Sequence, residues 1–422
     1  MTLNNGAFNG NNNKNNNYNL LPVLEYRYER RKMTYDILIE QLYDAYYSCR
    51  RNKGRKPSAV QFGWNYEREL EELARCLLDG TYTPTTSIVF GVTRPKDREV
   101  FAANFRDRVV HHLLIEKFMP ILDGEMIDDS YNCRKGKGVL YGVERLAEEI
   151  RRVSHDYTRP TYVLSGDVEG FFMSIDKARL WQMVERAIRD NCKDDDLEWW
   201  LRLFKIVMMH RPEQDCIIHG DKAVLDRLPK NKSLLKGDGR NGLPIGNLPS
   251  QICGNFYRTP FDRMMKDALG DEGFYCVFVD DFRAVSTDKR LLERLAVKAR
   301  SYLWQYLGLR MHRRKFSIID AKKGVPFIGA IIMPWGIYAS NRTVNSAFEV
   351  AQIEHVGDME RHVQRLNSYM GFLGHRLTYA IRRNMYDTIP MDIKKRMICV
   401  GMRKFVLLRQ QACSSSERRT AC

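Results

Sequence analysis

Two adjacent carboxylates, Asp280 and Asp281, interrupt an apolar stretch that otherwise has the composition of paired β-strands. Aromatic and β-branched residues are common on both flanks, 275–279 and 282–285, so we expect the acids at a tight connection between two strands. An unpaired buried carboxylate is costly and a second one beside it adds repulsion, so the pair is stable mainly where a cation or water meets it. The alternative is a solvent-facing Asp-Asp turn.

A third carboxylate, Asp167, follows another apolar strand and precedes a helix expected to begin near Ser174 or Asp176. The long stretch between Asp167 and Asp280 leaves room for helices and a nucleotide pocket. Oxygen ligands from separate strands suit Mg²⁺, with the Val168 carbonyl as a further donor. Two such ions about 3.5–4 Å apart could activate an attacking hydroxyl and stabilise a leaving pyrophosphate. The acids therefore predict a site for two Mg²⁺ ions, or for Mn²⁺ in their place.

The motifs of the chain, in their order, resemble those of the reverse transcriptases. Asp167 with Phe171 and Phe172 is similar to the first palm motif of that family. Residues 242–251 are similar to the nucleotide-pocket motif, and residues 278–281 to the aromatic-x-Asp-Asp motif. Residues 307–315 are similar to the lysine-bearing palm segment, and residues 326–329 to the primer-grip turn. The resemblance covers roughly residues 85–335. It implies an α+β right-hand polymerase with fingers, palm and thumb, in which an antiparallel palm sheet packs on helices and the thumb is helical.

Within that family, the chain is most similar to the diversity-generating retroelement enzymes. The segments that carry this likeness are residues 94–112 and 228–251. Most reverse transcriptases have Gln at the position of Ile245 and Pro at that of Gln251, and the subgroup differs there. Two residues depart from the usual pattern, because Pro249 stands where the subgroup commonly has Thr and Phe278 where Tyr is usual. Neither departure removes a metal ligand.

The resemblance implies roles for the residues around the acids. Asp167 and Asp280 would be the primary metal ligands with the Val168 carbonyl, and Asp281 would assist by orientation or loose binding. Lys315 would protonate the departing pyrophosphate, which is worth roughly 10²–10⁴-fold for a well-placed acid. The alternative for Lys315 is one more exposed charge.

The resemblance also implies a nucleotide pocket. Lys96 and Arg98 would hold the triphosphate, since the planar Arg fork can bind two phosphate oxygens at once. Arg134 is a second candidate for that contact, and for all three surface solvation is the alternative. Phe172 matches the bulky residue that excludes a ribose 2′-hydroxyl. The remaining residues are Ile245, Gly246 and Gln251 in the pocket, and Phe327, Ile328 and Gly329 in the primer grip.

Ile245 bears on fidelity. An amide at this position could hydrogen-bond near the incoming nucleotide, whereas Ile offers only apolar contact. A neutral hydrogen bond is worth about 1 kcal/mol, so a several-fold lower fidelity is expected. In the resembled subgroup the errors fall on template adenines, a selectivity that does not follow from the residues themselves. The alternative is that Ile245 only fills the palm.

Composition favours a nucleic-acid partner in a reducing compartment. The 422 residues carry 68 Lys and Arg against 52 Asp and Glu, a formal charge of +16, which points to a polyanion. No apolar run approaches the roughly 20 residues that span a bilayer, and the polar start lacks a secretory pattern. The 10 cysteines include no Cys-x-x-Cys pair. We therefore expect a cytoplasmic protein with no membrane partner, and the resemblance implies that it is bacterial or phage-encoded.

The chain divides into four expected segments. Residues 1–20 are an Asn-rich leader expected to be disordered. By resemblance, 21–160 form an N-terminal extension and fingers, 161–338 the palm with some fingers elements and an insertion at 211–241, and 339–422 a basic helical thumb and tail. Apolar spacing predicts two helices in 33–80, strands in 85–100, and helices after Gly138, over 250–268 and over 290–306.

The resemblance thus implies an RNA-directed DNA polymerase of a diversity-generating retroelement, which copies a template RNA into error-prone, adenine-mutagenised cDNA. Its partners would be the template RNA, the RNA/cDNA duplex, deoxynucleoside triphosphates and a small basic accessory protein that could be oligomeric. One alternative is another bacterial reverse transcriptase, of retron or phage-defence type. The other is an inactive palm that serves as an RNA-binding scaffold.

Overall fold

The computed structural model describes residues 33–93 and 96–408, and it is α+β. Its α-helices are α1 Tyr35–Arg50, α2 Pro57–Gly63, α3 Tyr66–Leu78, α4 Phe105–Glu125, α5 Val139–Ser154, α6 Phe171–Ser174, α7 Lys177–Asn191, α8 Leu197–Met209, α9 Lys222–Asp226, α10 Leu248–Tyr257, α11 Thr259–Leu269, α12 Lys289–Leu307, α13 Asn341–Ala351, α14 Met359–Gly374, α15 Tyr379–Asp387 and α16 Met391–Lys394. Its strands are β1 Ser87–Val92, β2 Arg98–Ala102, β3 Tyr162–Asp167, β4 Cys216–Ile218, β5 Phe274–Phe278, β6 Asp281–Ser286, β7 Ser317–Asp320, β8 Val325–Phe327, β9 Ala330–Met333, β10 Gly336–Ala339, β11 Met397–Val400 and β12 Lys404–Leu407. The expected leader, residues 1–20, and the last part of the tail lie outside the described residues.

The N-terminal region contains one helix more than the apolar spacing predicts. Leu38, Leu42 and Tyr46 bury one face of α1, as expected, and α1 packs on α3 and α4. The basic stretch 50–56 ends where Pro57 begins the short helix α2, because Pro is favoured in a first helical turn that needs no N–H. The two expected helices are present as α1 and α3, and α2 is an additional helix between them.

Four antiparallel strands in the order β5-β6-β3-β7 form the central sheet. Successive side chains of a β-strand point to opposite faces of the sheet, so these strands contribute to two different cores. Leu164, Phe282 and Ala284 pack with helices including α4, α10 and α12, whereas Val163 and Val285 pack with α5 and the β8–β9 hairpin. A sheet covered on both faces leaves its ends free to carry polar residues.

The helix expected over 250–268 is interrupted. α10 ends at Tyr257 and α11 begins at Thr259, with Arg258 as the cap between them. Pro260 lies in the first turn of α11, and since Pro supplies no N–H, it favours a new helix start over a continuous helix. The break places Arg258 close to the central sheet.

The expected insertion 211–241 is joined to the strands that follow α3. β4 pairs in parallel with β1, which pairs antiparallel with β2, and the N–H of His219 donates to the Val89 carbonyl at 2.8 Å. Val89 and Phe101 share a small core with Leu225 from α9. This segment is therefore part of a mixed three-stranded sheet.

The C-terminal region packs around its own core. A three-stranded antiparallel sheet, β8-β9-β10, leads into α13–α16, whose buried residues form a separate cluster. The fully helical expectation for 339–422 misses the hairpin β11–β12, where Ile398, Val406 and their β-branched or aromatic neighbours flank a turn with Gly401 at φ +57°. Among the described residues, the helices are all too short or too polar to cross a membrane.

Candidate active site

The fold brings the three predicted acids to one end of the central sheet. Asp167 is the last residue of β3 and lies directly opposite Asp281, the first residue of β6. Asp280 is in the turn between β5 and β6, and its carbonyl accepts a hydrogen bond from the N–H of Val168 at 3.3 Å. The Asp167 carbonyl in turn accepts from the N–H of His312 at 2.8 Å. The hairpin expected around the Asp-Asp pair is confirmed.

The turn that carries Asp280 has a strained backbone. Val279 has φ +59°, in the left-handed region, which a β-branched residue rarely adopts. Such a residue costs roughly 1–3 kcal/mol and persists only where its surroundings hold it. Arg258 provides this restraint, because its Nη1 donates to the Val279 carbonyl at 2.6 Å. The strain therefore lies next to the predicted metal ligand.

Arg258 is itself fixed by a buried network. Its side chain is only 2% exposed, and its Nε donates to the Asp262 carboxylate at 2.9 and 3.2 Å. Its Nη2 donates to the Tyr275 hydroxyl at 2.9 Å, and that hydroxyl donates to Asp262 at 2.7 Å. Sequence reasoning missed this network, although an Arg and an Asp four residues apart in an apolar helical segment were its visible signal.

The electrostatics of the turn favour a cation. Burial, followed by repulsion from Asp281, raises the pKa of Asp280 from its ordinary value. The positive charges of Arg258 and Lys96 offset part of this rise. Lys96 also lowers the pKa of Lys315, after burial as the main cause. Lys96, predicted to hold a triphosphate, therefore lies within electrostatic reach of both the acids and Lys315.

Each of two acids is paired with a basic side chain. Asp167, which is buried, forms an ion pair with the half-exposed Lys315. Asp281 forms an ion pair with the buried Arg283, whose Nη2 lies 3.3 Å from Oδ2 of Asp281. Arg283 also donates to the Pro326 carbonyl from Nε at 3.0 Å and Nη2 at 2.6 Å. Arg283 thus connects Asp281 to the strand before the expected primer grip, a link that sequence reasoning missed.

The donor set at the acids fits a hard divalent cation, because it consists of carboxylate and carbonyl oxygens. Within residues 33–93 and 96–408, however, no three His, Cys, Asp or Glu side chains are arranged as a ligand group. Asp167 is bonded to Lys315 and Asp281 to Arg283 instead. A metal ion at Asp167 would therefore have to replace the ammonium group of Lys315. The roles of Asp167, Val168, Asp280 and Asp281 as ligands stay predictions.

The predicted pocket motif contacts both neighbouring segments. The Ile245 carbonyl accepts from the N–H of Phe101 in β2 at 2.8 Å. Gly246 has φ +118°, and a Cβ there would lie 2.5 Å from the Phe101 carbonyl oxygen, so only glycine fits. The N–H of Leu243 donates to the Phe172 carbonyl at 2.9 Å. The motif thus joins β2 to the segment that follows Asp167.

The side chains of the predicted pocket are partly accessible. Ile245, Gln251 and Phe172 are half-buried, and Arg98, at the start of β2, is exposed. The Phe172 ring packs over α10, where a Cβ on Gly254 would lie 3.1 Å from its Cε1. Gln251 Oε1 accepts from the Cys133 thiol at 2.6 Å. Their roles toward a nucleotide stay predictions.

Arg134 has an internal structural position. Its side chain is 4% exposed and forms an ion pair with Asp123, with Nη2 3.1 Å from Oδ2. Its Nη1 donates to the carbonyls of Ile127 at 2.5 Å and Ser130 at 3.1 Å. The guanidinium closes the loop after α4, because it donates to buried carbonyls of that loop, which need partners. This arrangement favours a structural role over the triphosphate contact expected from the sequence.

The predicted primer-grip residues form a tight turn between β8 and β9. Phe327 pairs with Ala330, and Ile328 and Gly329 between them have φ +43° and +78°. Two successive positive φ values are typical of a type I′ hairpin turn. Phe327 is buried beneath Arg283, whose guanidinium carbon lies 5.0 Å from the ring centroid. Arg283 therefore links Asp281 to Phe327 at the start of this turn.

This chain has distant likenesses to several known proteins. No family model matches it. It is 21% identical over 312 residues to "Protein YkfC" of Escherichia coli (strain K12), covering 66% of this chain and 75% of that protein. Among solved structures, it is similar to apo telomerase from Candida tropicalis, with a TM-score of 0.45 and 12% identity over 72% of this chain and 56% of that one.

It is also similar to telomerase from Candida albicans solved with a TWJ fragment of telomeric RNA, with a TM-score of 0.42 and 10% identity over 79% of this chain and 60% of that one. This chain therefore spans less than two thirds of the length of these telomerase chains. At TM-scores below 0.5 these likenesses carry no argument about function.

Proposed function

We propose that this chain is an RNA-directed DNA polymerase that copies a template RNA into cDNA from deoxynucleoside triphosphates. The observation that carries the proposal is the register that sets Asp167 opposite Asp281, with Asp280 in the adjoining turn. Acids at one end of an antiparallel sheet, with Lys96 and Lys315 beside them, suit divalent cations and a triphosphate. The formal charge of +16 suits a polyanionic template and its RNA/cDNA duplex.

The residues of the site would have different roles in the reaction. Asp167 and Asp280 would hold two Mg²⁺ ions, or Mn²⁺ in their place, with the Val168 carbonyl and Asp281 beside them. Bound metal would supply activation of the primer hydroxyl and neutralisation of phosphate charge. Lys96 would neutralise part of the triphosphate charge. Lys315, once released from Asp167, would donate its proton to the leaving pyrophosphate.

Primer extension on a defined RNA template tests this proposal. The full chain, supplied with deoxynucleotides and Mg²⁺, should extend the primer. Asp280→Asn should abolish extension but retain the fold and the binding of RNA. Asp271→Asn, in an exposed turn before β5, is the matched control and should extend normally. Full metal-dependent extension by Asp280→Asn would refute the proposal, and RNA binding without any extension by the unaltered chain would favour the scaffold alternative.

A finer proposal is that the enzyme belongs to a diversity-generating retroelement and introduces errors opposite template adenines, together with a small basic accessory protein. Its support is the resemblance of the pocket motif, above all Ile245 and Gln251. The backbone of Ile245 is fixed by Phe101, while its half-buried side chain offers the nucleotide no hydrogen bond. Sequencing of cDNA from the unaltered chain and Ile245→Gln should show several-fold fewer errors in the variant. Equal error rates would contradict this finer role.

A further inference from the structure

Arg376 is a buried cation, and two of its three guanidinium nitrogens have no hydrogen-bond partner among the described residues. It follows α14, its side chain is 7% exposed, and neither Nε nor Nη1 meets an acceptor. Arg382 is equally buried and its Nε also lacks an acceptor, but its Nη1 donates to the Met402 carbonyl. Burying a charged group without acceptors is expensive, and buried polar groups in proteins nearly always have partners. A ligand that brings acceptor oxygens would remove this penalty at Arg376.

Arg376 lies beside the turn between β8 and β9. Its guanidinium carbon lies 5.4 Å from the centroid of the Phe372 ring. That ring packs on the turn, because a Cβ on Gly329 would lie 3.3 Å from Phe372 Cζ. The next residue, Leu377, donates its N–H to the Ile337 carbonyl of β10 at 3.4 Å. One aromatic ring therefore separates Arg376 from the predicted primer grip.

The net positive charge of the C-terminal segment favours an anionic ligand. Burial lowers the pKa of Arg376 from its ordinary value, and the charge of Glu144 on α5 offsets this only in part. Glu144 is exposed and forms no hydrogen bond with Arg376. Residues 360–422 carry 13 Lys and Arg against 4 Asp and Glu, so a polyanion would be attracted to this part of the chain. A phosphodiester offers both the charge and the acceptor oxygens that a guanidinium fork binds.

We propose that Arg376 binds a backbone phosphate of the primer strand near its 3′ end, next to the turn of Ile328 and Gly329. This inference rests on the proposed polymerase function. It makes Arg376 a positioning residue, because it would fix the strand and not touch the reacting atoms. The cost of keeping an unpaired guanidinium in the free protein would be recovered when the strand binds.

The test compares Arg376→Met with Arg382→Met in the full chain. Binding of an RNA/DNA primer–template is measured by fluorescence anisotropy over a series of salt concentrations, and stability by urea unfolding. Arg376→Met should bind at least roughly tenfold more weakly, with a salt slope lower by about one, yet be as stable as the unaltered chain or more so. Arg382→Met should be less stable, because the Met402 carbonyl loses its donor.

Primers with a neutral methylphosphonate at one linkage at a time, stepped back from the 3′ end, locate the phosphate. At one linkage, the methylphosphonate should weaken binding to the unaltered chain but cause no further loss of binding to Arg376→Met. The affinity of Arg376→Lys for the unmodified duplex should lie between those of the unaltered chain and Arg376→Met. The inference would be overturned if Arg376→Met bound the duplex as tightly as the unaltered chain does. It would also be overturned if, at every linkage, the loss of binding from the methylphosphonate added to the loss from Arg376→Met. Failure of the unaltered chain to bind or extend the duplex would instead refute the proposed function.

Discussion

The guanidinium of Arg258 donates a hydrogen bond to the carbonyl of Val279, at 2.6 Å, and so holds the one turn residue that separates β5 from Asp280. Because Val279 has a positive φ, its conformation depends on such an external restraint. Arg258 is fully occupied by Val279, Tyr275 and Asp262. The position of a predicted metal ligand is thus set by a residue in the break between α10 and α11.

Arg258→Lys should lower the rate of primer extension at least roughly tenfold with a smaller effect on stability. A lysine keeps the charge opposite Asp262 but cannot bond to three partners in the planar geometry of a guanidinium. Steady-state extension should show the loss in kcat more than in KM for the nucleotide. Arg263→Lys, at an exposed position in α11, is the control. Normal kcat for Arg258→Lys would mean that the turn does not need this restraint.

Gly246→Ala should destabilise the protein by about 2 kcal/mol or more and impair nucleotide binding. The new Cβ would lie 2.5 Å from the Phe101 carbonyl oxygen at a residue with φ +118°. Urea unfolding gives the free energy and extension assays give the KM. Gly124→Ala, where a Cβ meets no atom within 4 Å and helix propensity improves, should be neutral or stabilising. Equal stability of the two variants would contradict the close contact.

Lys315→Met should change the response to metal. Loss of the ammonium group frees Asp167, so half-maximal activity should need less Mg²⁺. If Lys315 also acts as the general acid, kcat should fall by roughly 10²–10⁴-fold at saturating metal. Titration of Mg²⁺ in extension assays separates the two effects, with the exposed Lys322→Met as control. An unchanged titration and an unchanged kcat would leave Lys315 with no part in the reaction.

Phe172→Ala should allow the enzyme to incorporate ribonucleotides. The ring packs over Gly254 beside the pocket motif, and its removal would leave space where a 2′-hydroxyl could enter. The ratio of kcat/KM for dNTP and rNTP should fall, whereas Phe348→Ala, at a half-buried position in α13, should leave that ratio unchanged. No change in sugar selectivity for Phe172→Ala would show that another residue excludes ribose.

His111 should make the stability depend on pH. Burial, followed by the nearby His112 and His210, lowers the pKa of His111 to about 3 in the folded protein. The unfolded chain takes up the proton near pH 6.5, so stability falls as the pH drops below that value, by roughly 1.4 kcal/mol at one unit below it. His111→Leu should reduce this loss between pH 7 and 5.5, and the exposed His355→Gln should not. Parallel curves for the unaltered chain and His111→Leu would contradict the prediction.

The sequence was sufficient to predict the hairpin around Asp280 and Asp281 and the strand before Asp167, because short-range apolar patterns determine both. It could not reveal the partners of Arg258 and Arg283. Those guanidinium groups bond to carbonyls at Val279 and Pro326, far away in sequence, and nothing in a local pattern marks a carbonyl as an acceptor. The same limit explains Arg134, which reads as a surface cation but closes a loop through Asp123.

The parallel pairing of β1 with β4 has a consequence for biosynthesis. Residues 87–89 bond to residues 216–218, so one edge of β1 stays open until the later segment has left the ribosome. An open strand edge that includes Val89 and lies next to Phe101 invites pairing with other chains. A polypeptide that stops before residue 216 is therefore expected to aggregate, and the first half of this protein should depend on chaperones or on rapid translation until β4 emerges.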